Sequence, residues 1–160
     1  MDIRVGNGYD THPLVKGESL ILGGIIIPHD KGTQGHSDGD VLVHAIIDAL
    51  LGATNLGDIG QHFPSNNLEY KNASSLNLLS QVIEMIHKQS YSIFNIVSTI
   101  LLERPIIKDY IHSMKREVAK RLVIAEDRIS IKATTNDRLG FIGEEKGISA
   151  IATVLIQKES

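Results

Sequence analysis

Apolar positions along this chain switch between two periods, and the switches mark out its elements. Val41, Leu42, Ala45, Ile46, Ala49, Leu50 and Ala53 fall three and four residues apart, which predicts a helix over 39–54 buried along one stripe. The opposite stripe carries Asp40, His44 and Asp48 at intervals of four, so one face of that helix gathers three ionisable side chains. A second helix is predicted over 75–88, with Ser74 or Ser75 as its cap. Pro105 suits the first turn of a third, whose stripe runs through Ile107, Tyr110, Ile111, Met114, Val118 and Leu122.

Between the helices the pattern is that of strands. Residues 3–9 read as a short strand that delivers Asp10 and His12 at its end. Leu20-Ile21-Leu22 and Ile25-Ile26-Ile27 flank Gly23-Gly24, which predicts a hairpin over 19–28. Stretches 31–38 and 57–71 have loop chemistry, and β-branched runs predict strands over 93–102, 129–134 and 147–157. Strands mixed with helices, without a regular βαβ repeat, indicate an α+β fold with a mixed β-sheet and three main helices on one face. The last three strands carry apolar residues at odd and even positions alike, whereas a sheet covered on one face only should alternate. The second face is therefore expected to be buried too, and packing between subunits is one way to bury it.

Composition narrows the class. The 160 residues suit one domain over 1–160, with no repeat or linker. Sixteen basic and nineteen acidic residues leave a formal charge of −3, which excludes tracking of a nucleic-acid backbone. No apolar run approaches the roughly 20 residues of a membrane span. The first residues lack the apolar core of a signal peptide, so a cytoplasmic protein is expected. There is no cysteine, and a zinc site would have to use His, Asp or Glu.

Four segments carry candidate chemistry. Asp10-Thr11-His12 would point Asp10 and His12 to the same side of a strand, and His44 could add a third metal ligand. Two His and one carboxylate leave an open position, as in catalytic zinc sites. On spacing alone, a surface Asp-x-His beside an unrelated helical His stays open. Gly35-His36-Ser37-Asp38-Gly39-Asp40 precedes the first helix, where an anion would be favoured and where Ser37 or Asp38 could equally act as cap. Asp58-Ile59-Gly60 with Phe63-Pro64 reads as turn chemistry. Lys132-Ala133-Thr134-Thr135-Asn136-Asp137-Arg138 packs hydroxyls, an acid and bases after a strand, which suits a phosphate and a second, hard cation. Gly6-Asn7-Gly8 is no dinucleotide fingerprint, because the third glycine and the following helix are missing. His29, His62, His87 and His112 read as solvated surface.

Taken together these segments resemble the 2-C-methyl-D-erythritol 2,4-cyclodiphosphate synthase family. The likeness rests on Gly8-Tyr9-Asp10-Thr11-His12, His36-Ser37-Asp38-Gly39-Asp40, His44-Ala45, Asp48 to Ala53, Leu56 to Gly60, Phe63-Pro64, Lys132 to Thr135, Leu139-Gly140-Phe141 and Gly147-Ile148, in family order and spacing. It implies that a cytidine diphosphate ester of methylerythritol phosphate is cyclised by its own 2-phosphate, with release of CMP. It implies Zn2+ on Asp10, His12 and His44, and Mg2+ or Mn2+ on Asp137, where the family has Glu. His36 and Thr135 fall at positions of transition-state stabilisation. The resemblance gives substrate contacts to Asp10, Thr11, His12, His36, Ser37, Asp58, Ile59, Gly60, Phe63, Pro64 and Ser65. It places the cytidine pocket at Leu102, Glu103, Arg104, Pro105, Ala133 and Thr134, and counts Thr135, Asn136, Asp137 and Phe141 among the other substrate contacts. Asp40 and Asp48 take a supporting role, such as orienting a ligand His. It also implies a homotrimer with sites between subunits, its sheets packed together. Alternatives in other classes are a zinc phosphohydrolase and a non-catalytic, metal-stabilised trimer.

Overall fold

A computed structural model describes residues 2–159. Five strands form one mixed sheet in the order β4-β1-β7-β5-β6: β1 (Ile3–Lys16), β4 (Lys31–Thr33), β5 (Tyr91–Leu101), β6 (Ile129–Thr134) and β7 (Gly147–Lys158). β1 and β5 flank β7 antiparallel, and β6 pairs parallel with β5. A separate hairpin joins β2 (Leu20–Leu22) to β3 (Ile25–Ile27). The mixed α+β architecture read from the sequence is present.

The three long helices are α1 (Val41–Ala53), α3 (Ser75–Lys88) and α4 (Ile111–Leu122); α2 (Ile59–His62) and α5 (Gly140–Gly143) are single turns. α1 lies on β1 and β7, and α3 and α4 continue the helical layer over β5 and β6. Alternation along β7 shows why. Ile148, Ala150, Ala152, Val154 and Ile156 are fully buried toward the helices, while Ile151 between them is 45% exposed. The outer face continues through Val5, Tyr9 and Phe94, each more than half exposed.

Gly6 and Gly8 have a packing role. A Cβ on Gly6 would lie 2.0 Å from the Ala49 carbonyl oxygen, and one on Gly8 2.1 Å from that of Ala45. Alanines on the helix and glycines on the strand let the two backbones approach, which brings His44 down onto the end of β1. Any side chain at Gly8 would push α1 away from the strand.

Three element bounds differ from expectation. β1 runs on to Lys16, because it pairs with β7 as far as Pro13 opposite Gly147 and then with β4. The expected loop at 31–38 begins as that short β4. Pro105 does not open the third helix: the Arg104–Pro105 peptide is cis, a 3-10 turn follows at Lys108–Tyr110, and α4 begins at Ile111. Among the described residues no helix is long and apolar enough to cross a membrane.

Candidate active site

The end of β1 and the first turn of α1 converge on one point. Asp10 and His12 sit two apart on the helix-facing side of the strand, and His44 is buried on the face of α1 that meets it. Asp10 Oδ2 lies 2.9 Å from His12 Nε2 and 3.0 Å from His44 Nδ1, and the two ring nitrogens are 3.2 Å apart. These three side chains are the group of potential metal donors found together among the described residues. Tetrahedral zinc with bonds of about 2.0–2.1 Å separates its ligands by about 3.3 Å, so the donor set fits such an ion in both chemistry and spacing.

The electrostatics keep the site charged. Burial opposes the charge on Asp10, but hydrogen bonds from His12 and His44 outweigh it and hold the carboxyl at about 2. Burial also opposes the charged His12 ring, and Asp10 outweighs it in turn, so that ring titrates above the ordinary 6.5.

A cleft of about 230 Å³ opens on the three donors. His36, Ser37, Ile59, Gly60, Phe63 and Ser65, which the family resemblance gave as substrate contacts, line it. Tyr70 and Leu78 line it as well and were not foreseen, since a lone aromatic in a loop and a helix leucine carry no local signal. His36 Nε2 meets the Asn67 carbonyl at 3.1 Å, which fixes its ring at the cleft wall.

Other expected residues take different places. Thr11 points to the opposite sheet face by strand alternation and donates to the Ile148 carbonyl at 3.0 Å. Asp58 is exposed and caps α2, accepting from Gln61 N at 3.0 Å and Gln61 Nε2 at 2.9 Å; Pro64 is also outside the cleft lining. Asp40, not Ser37 or Asp38, caps α1. It is fully buried and accepts from Val43 N, Gly23 N and Gly24 N, tying the β2–β3 hairpin to the helix. The anion at that helix N-terminus is therefore internal, and burial pushes Asp40 up to about 6 against the pull of its three N–H partners. Asp48 accepts from Ile59 N at 3.2 Å, so it braces the cleft wall and does not hold a histidine. The partners of His44 Nε2 are Ser37 and Ser75, and Ser75 was missed because it lies 31 residues away at the start of another helix. His62 and His29 are not freely solvated either: His62 Nε2 meets the Leu56 carbonyl at 2.7 Å, and the His29 ring is largely buried.

A second cleft, about 180 Å³, is lined by Leu102, Glu103, Pro105, Ala133, Thr134 and Thr135 among others. It shares no lining residue with the first. Glu103 accepts from Asn136 N at 3.1 Å, which ties its two walls together. Arg104, Asn136 and Asp137 lie outside the lining, and Asp137 and Arg138 both take left-handed backbone conformations. Phe141 packs over Gly147 and lines neither cleft.

Fold and site thus define an α+β protein with a His/Asp group that could hold a metal, opening on a small cleft. The chain belongs to the YgbB family, whose model matches residues 3–157. It is 56% identical over 158 residues to the 2-C-methyl-D-erythritol 2,4-cyclodiphosphate synthase of Bacteroides fragilis, covering 99% of each chain. Among solved structures it is similar to the IspF of Plasmodium falciparum in complex with CDP, with a TM-score of 0.87, 34% identity and coverage of 99% of this chain and 97% of that one. It also matches the bifunctional IspDF of Campylobacter jejuni with a TM-score of 0.96 and 37% identity, covering 99% of this chain but 43% of the bifunctional one.

Proposed function

We propose that this chain is a lyase that converts 4-diphosphocytidyl-2-C-methyl-D-erythritol 2-phosphate to 2-C-methyl-D-erythritol 2,4-cyclodiphosphate and CMP, a step toward isoprenoid precursors. One observation carries the proposal beyond family membership: three metal donors within 3.2 Å of one another at the floor of a cleft. An oxygen of the substrate's 2-phosphate attacks its own β-phosphorus; the bond from that phosphorus to the CMP oxygen breaks, and CMP leaves. No protein nucleophile is needed, and Ser37, which meets His44 Nε2 at 2.9 Å, is not called on as one. Asp10, His12 and His44 would hold Zn2+, which when bound supplies a Lewis acid and template for phosphate oxygens.

The chain's own groups do the positioning, which is most of the work in phosphoryl transfer. His36 and Ser37 face the methylerythritol phosphate end, and Ile59 and Gly60 present backbone to the sugar alcohol. Thr135 stabilises charge on the diphosphate, and the cleft at Leu102 to Pro105 receives cytidine. Asp137 would hold Mg2+ or Mn2+, which when bound would supply charge neutralisation to the diphosphate. Because the two clefts are separate on one chain, the active site is assembled in a homotrimer from the metal cleft of one copy and the cytidine cleft of the next. The exposed apolar sheet face at Val5, Tyr9, Phe94 and Ile151 supports that assembly.

Incubation of the zinc-loaded protein with the cytidine substrate tests the reaction. Phosphorus NMR should show a cyclic diphosphate appearing in step with CMP. A linear phosphate product would instead indicate a zinc phosphohydrolase, and no turnover a structural metal.

A further inference from the structure

We propose that Ser75 and Asp38 form a relay that positions His44 for metal binding, an inference resting on the zinc assignment above. The His44 ring is held at both nitrogens. Nδ1 faces Asp10 and His12, and Nε2 meets Ser75 Oγ at 2.8 Å and Ser37 Oγ at 2.9 Å. Ser75 is fully buried, and its hydroxyl donates to Asp38 Oδ1 in a short hydrogen bond. The other oxygen of Asp38 accepts from the Ser75 backbone N–H at 2.9 Å.

Proton counting then fixes the ring. A carboxylate only accepts, and a hydroxyl has one proton. Ser75 Oγ commits that proton to Asp38 and offers His44 a lone pair. Nε2 of His44 therefore keeps a proton, so the nitrogen that can offer a lone pair to a metal is Nδ1, which faces the Asp10 carboxylate and His12 in the metal-free chain. That is the tautomer a ligand histidine requires, with its other nitrogen held by an acceptor. Ser37 does not impose it. Among the described residues its only other hydrogen bond is accepted from Gly39 N at 3.5 Å, so its own proton is uncommitted and it can face either form of the ring.

Backbone bonds keep the relay in place. Asp38 N donates to the Ala73 carbonyl at 3.1 Å, and Asn72 N to the His36 carbonyl at 2.9 Å, so the loop before α1 is zipped to the segment before α3. Ser74, the capping residue of α3, makes no side-chain cap bond; Asp38 meets the helix start from 37 residues away. The role of the hydroxyl can thus be separated from the structural tie. Ser75→Ala deletes Oγ but keeps the backbone bond to Asp38.

The experiment compares the full-length wild type with Ser75→Ala, His12→Ala and Ser80→Ala, the last removing an α3 hydroxyl that bonds only the Leu76 carbonyl. Zinc affinity is read by competition with a chelator, and the His44 ring by NMR of zinc-loaded, 15N-histidine protein. Ser75→Ala should bind zinc about 10- to 100-fold more weakly than wild type, while Ser80→Ala binds like wild type. Wild-type His44 should show an exchange-protected proton on Nε2 that Ser75→Ala loses. Unchanged zinc affinity in Ser75→Ala, or a proton on Nδ1 in the zinc-loaded wild type, would overturn the relay while leaving the zinc site standing. Wild-type affinity in His12→Ala would remove the zinc assignment itself, and the relay with it.

Discussion

The two clefts of this chain are built in different ways. The one at Asp10, His12 and His44 grows from the core: its ligands stand on β1 and α1, locked together where Gly6 and Gly8 meet Ala45 and Ala49. The one at Leu102 to Pro105 and Ala133 to Thr135 lies on a strand end and turns, with residues 132–135 exposed. The first has all its metal donors within a single chain. The second contains none of these donors, and in the proposed trimer it reaches chemistry when another copy brings its metal cleft alongside. Precise placement of an ion needs rigid elements, whereas recognition of a nucleotide tolerates loops.

Removing a donor should give the largest effect. His44→Ala is expected to lose zinc affinity by about 100-fold or more and CMP release by at least as much, whereas His87→Ala and His112→Ala retain both; metal analysis after dialysis reads the difference. Equal zinc content in the three would refute the ligand assignment.

Charge on the outer sheet face should separate the clefts. Ile151→Asp, at a position 45% exposed in the single chain, is expected to break the trimer and abolish CMP release while zinc binding survives. Light scattering and metal analysis on the same sample test this, and an active monomer would show that the two clefts work within one chain.

Gly8→Ala attacks the seat of the metal cleft. Its methyl group would press on the Ala45 carbonyl, so a loss of about 1–3 kcal/mol in stability is expected, with weaker zinc binding. Denaturant titration should find no such loss for Gly140→Ala in stability terms beyond backbone strain, since nothing lies near a Cβ there.

The smallest effect is a pH dependence with opposite signs in two forms. The pKa of His12 is raised in the apo fold, so its pairing with Asp10 stabilises that fold below 6.5 and is lost as pH rises through the raised value. Zinc needs the ring unprotonated, so zinc affinity should fall as pH drops through the same range. Asp10, held at about 2, stays charged throughout. Calorimetry of the apo protein and of zinc binding from pH 6 to 9 checks both slopes; Asp10→Asn should flatten the first.

Local chemistry explains which parts could be read from the chain. The helix at 75–88, the hairpin and the strand at 129–134 are where periodicity placed them, because their apolar stripes and turn residues are local signals. The donor triangle was legible as a possibility, because Asp-x-His in a strand leaves little choice of face. Partners distant in sequence were not. Nothing near Asp40 indicates that it will bind the hairpin at Gly23 and Gly24, nothing near Asp48 points to Ile59, and Ser75 looks like an ordinary helix start. Pro105 misled because a proline serves a turn as readily as a first helical position.

Subunit complementation tests most directly whether one active site is made from two different halves. His44→Ala lacks the metal cleft, and Thr135→Ala lacks the other half, so each alone should release little CMP. Unfolded together and refolded as mixed trimers, they should recover activity, with about a quarter of the sites combining two intact halves. A mixture that forms mixed trimers by mass spectrometry and yet stays as inactive as its parents would contradict the shared site.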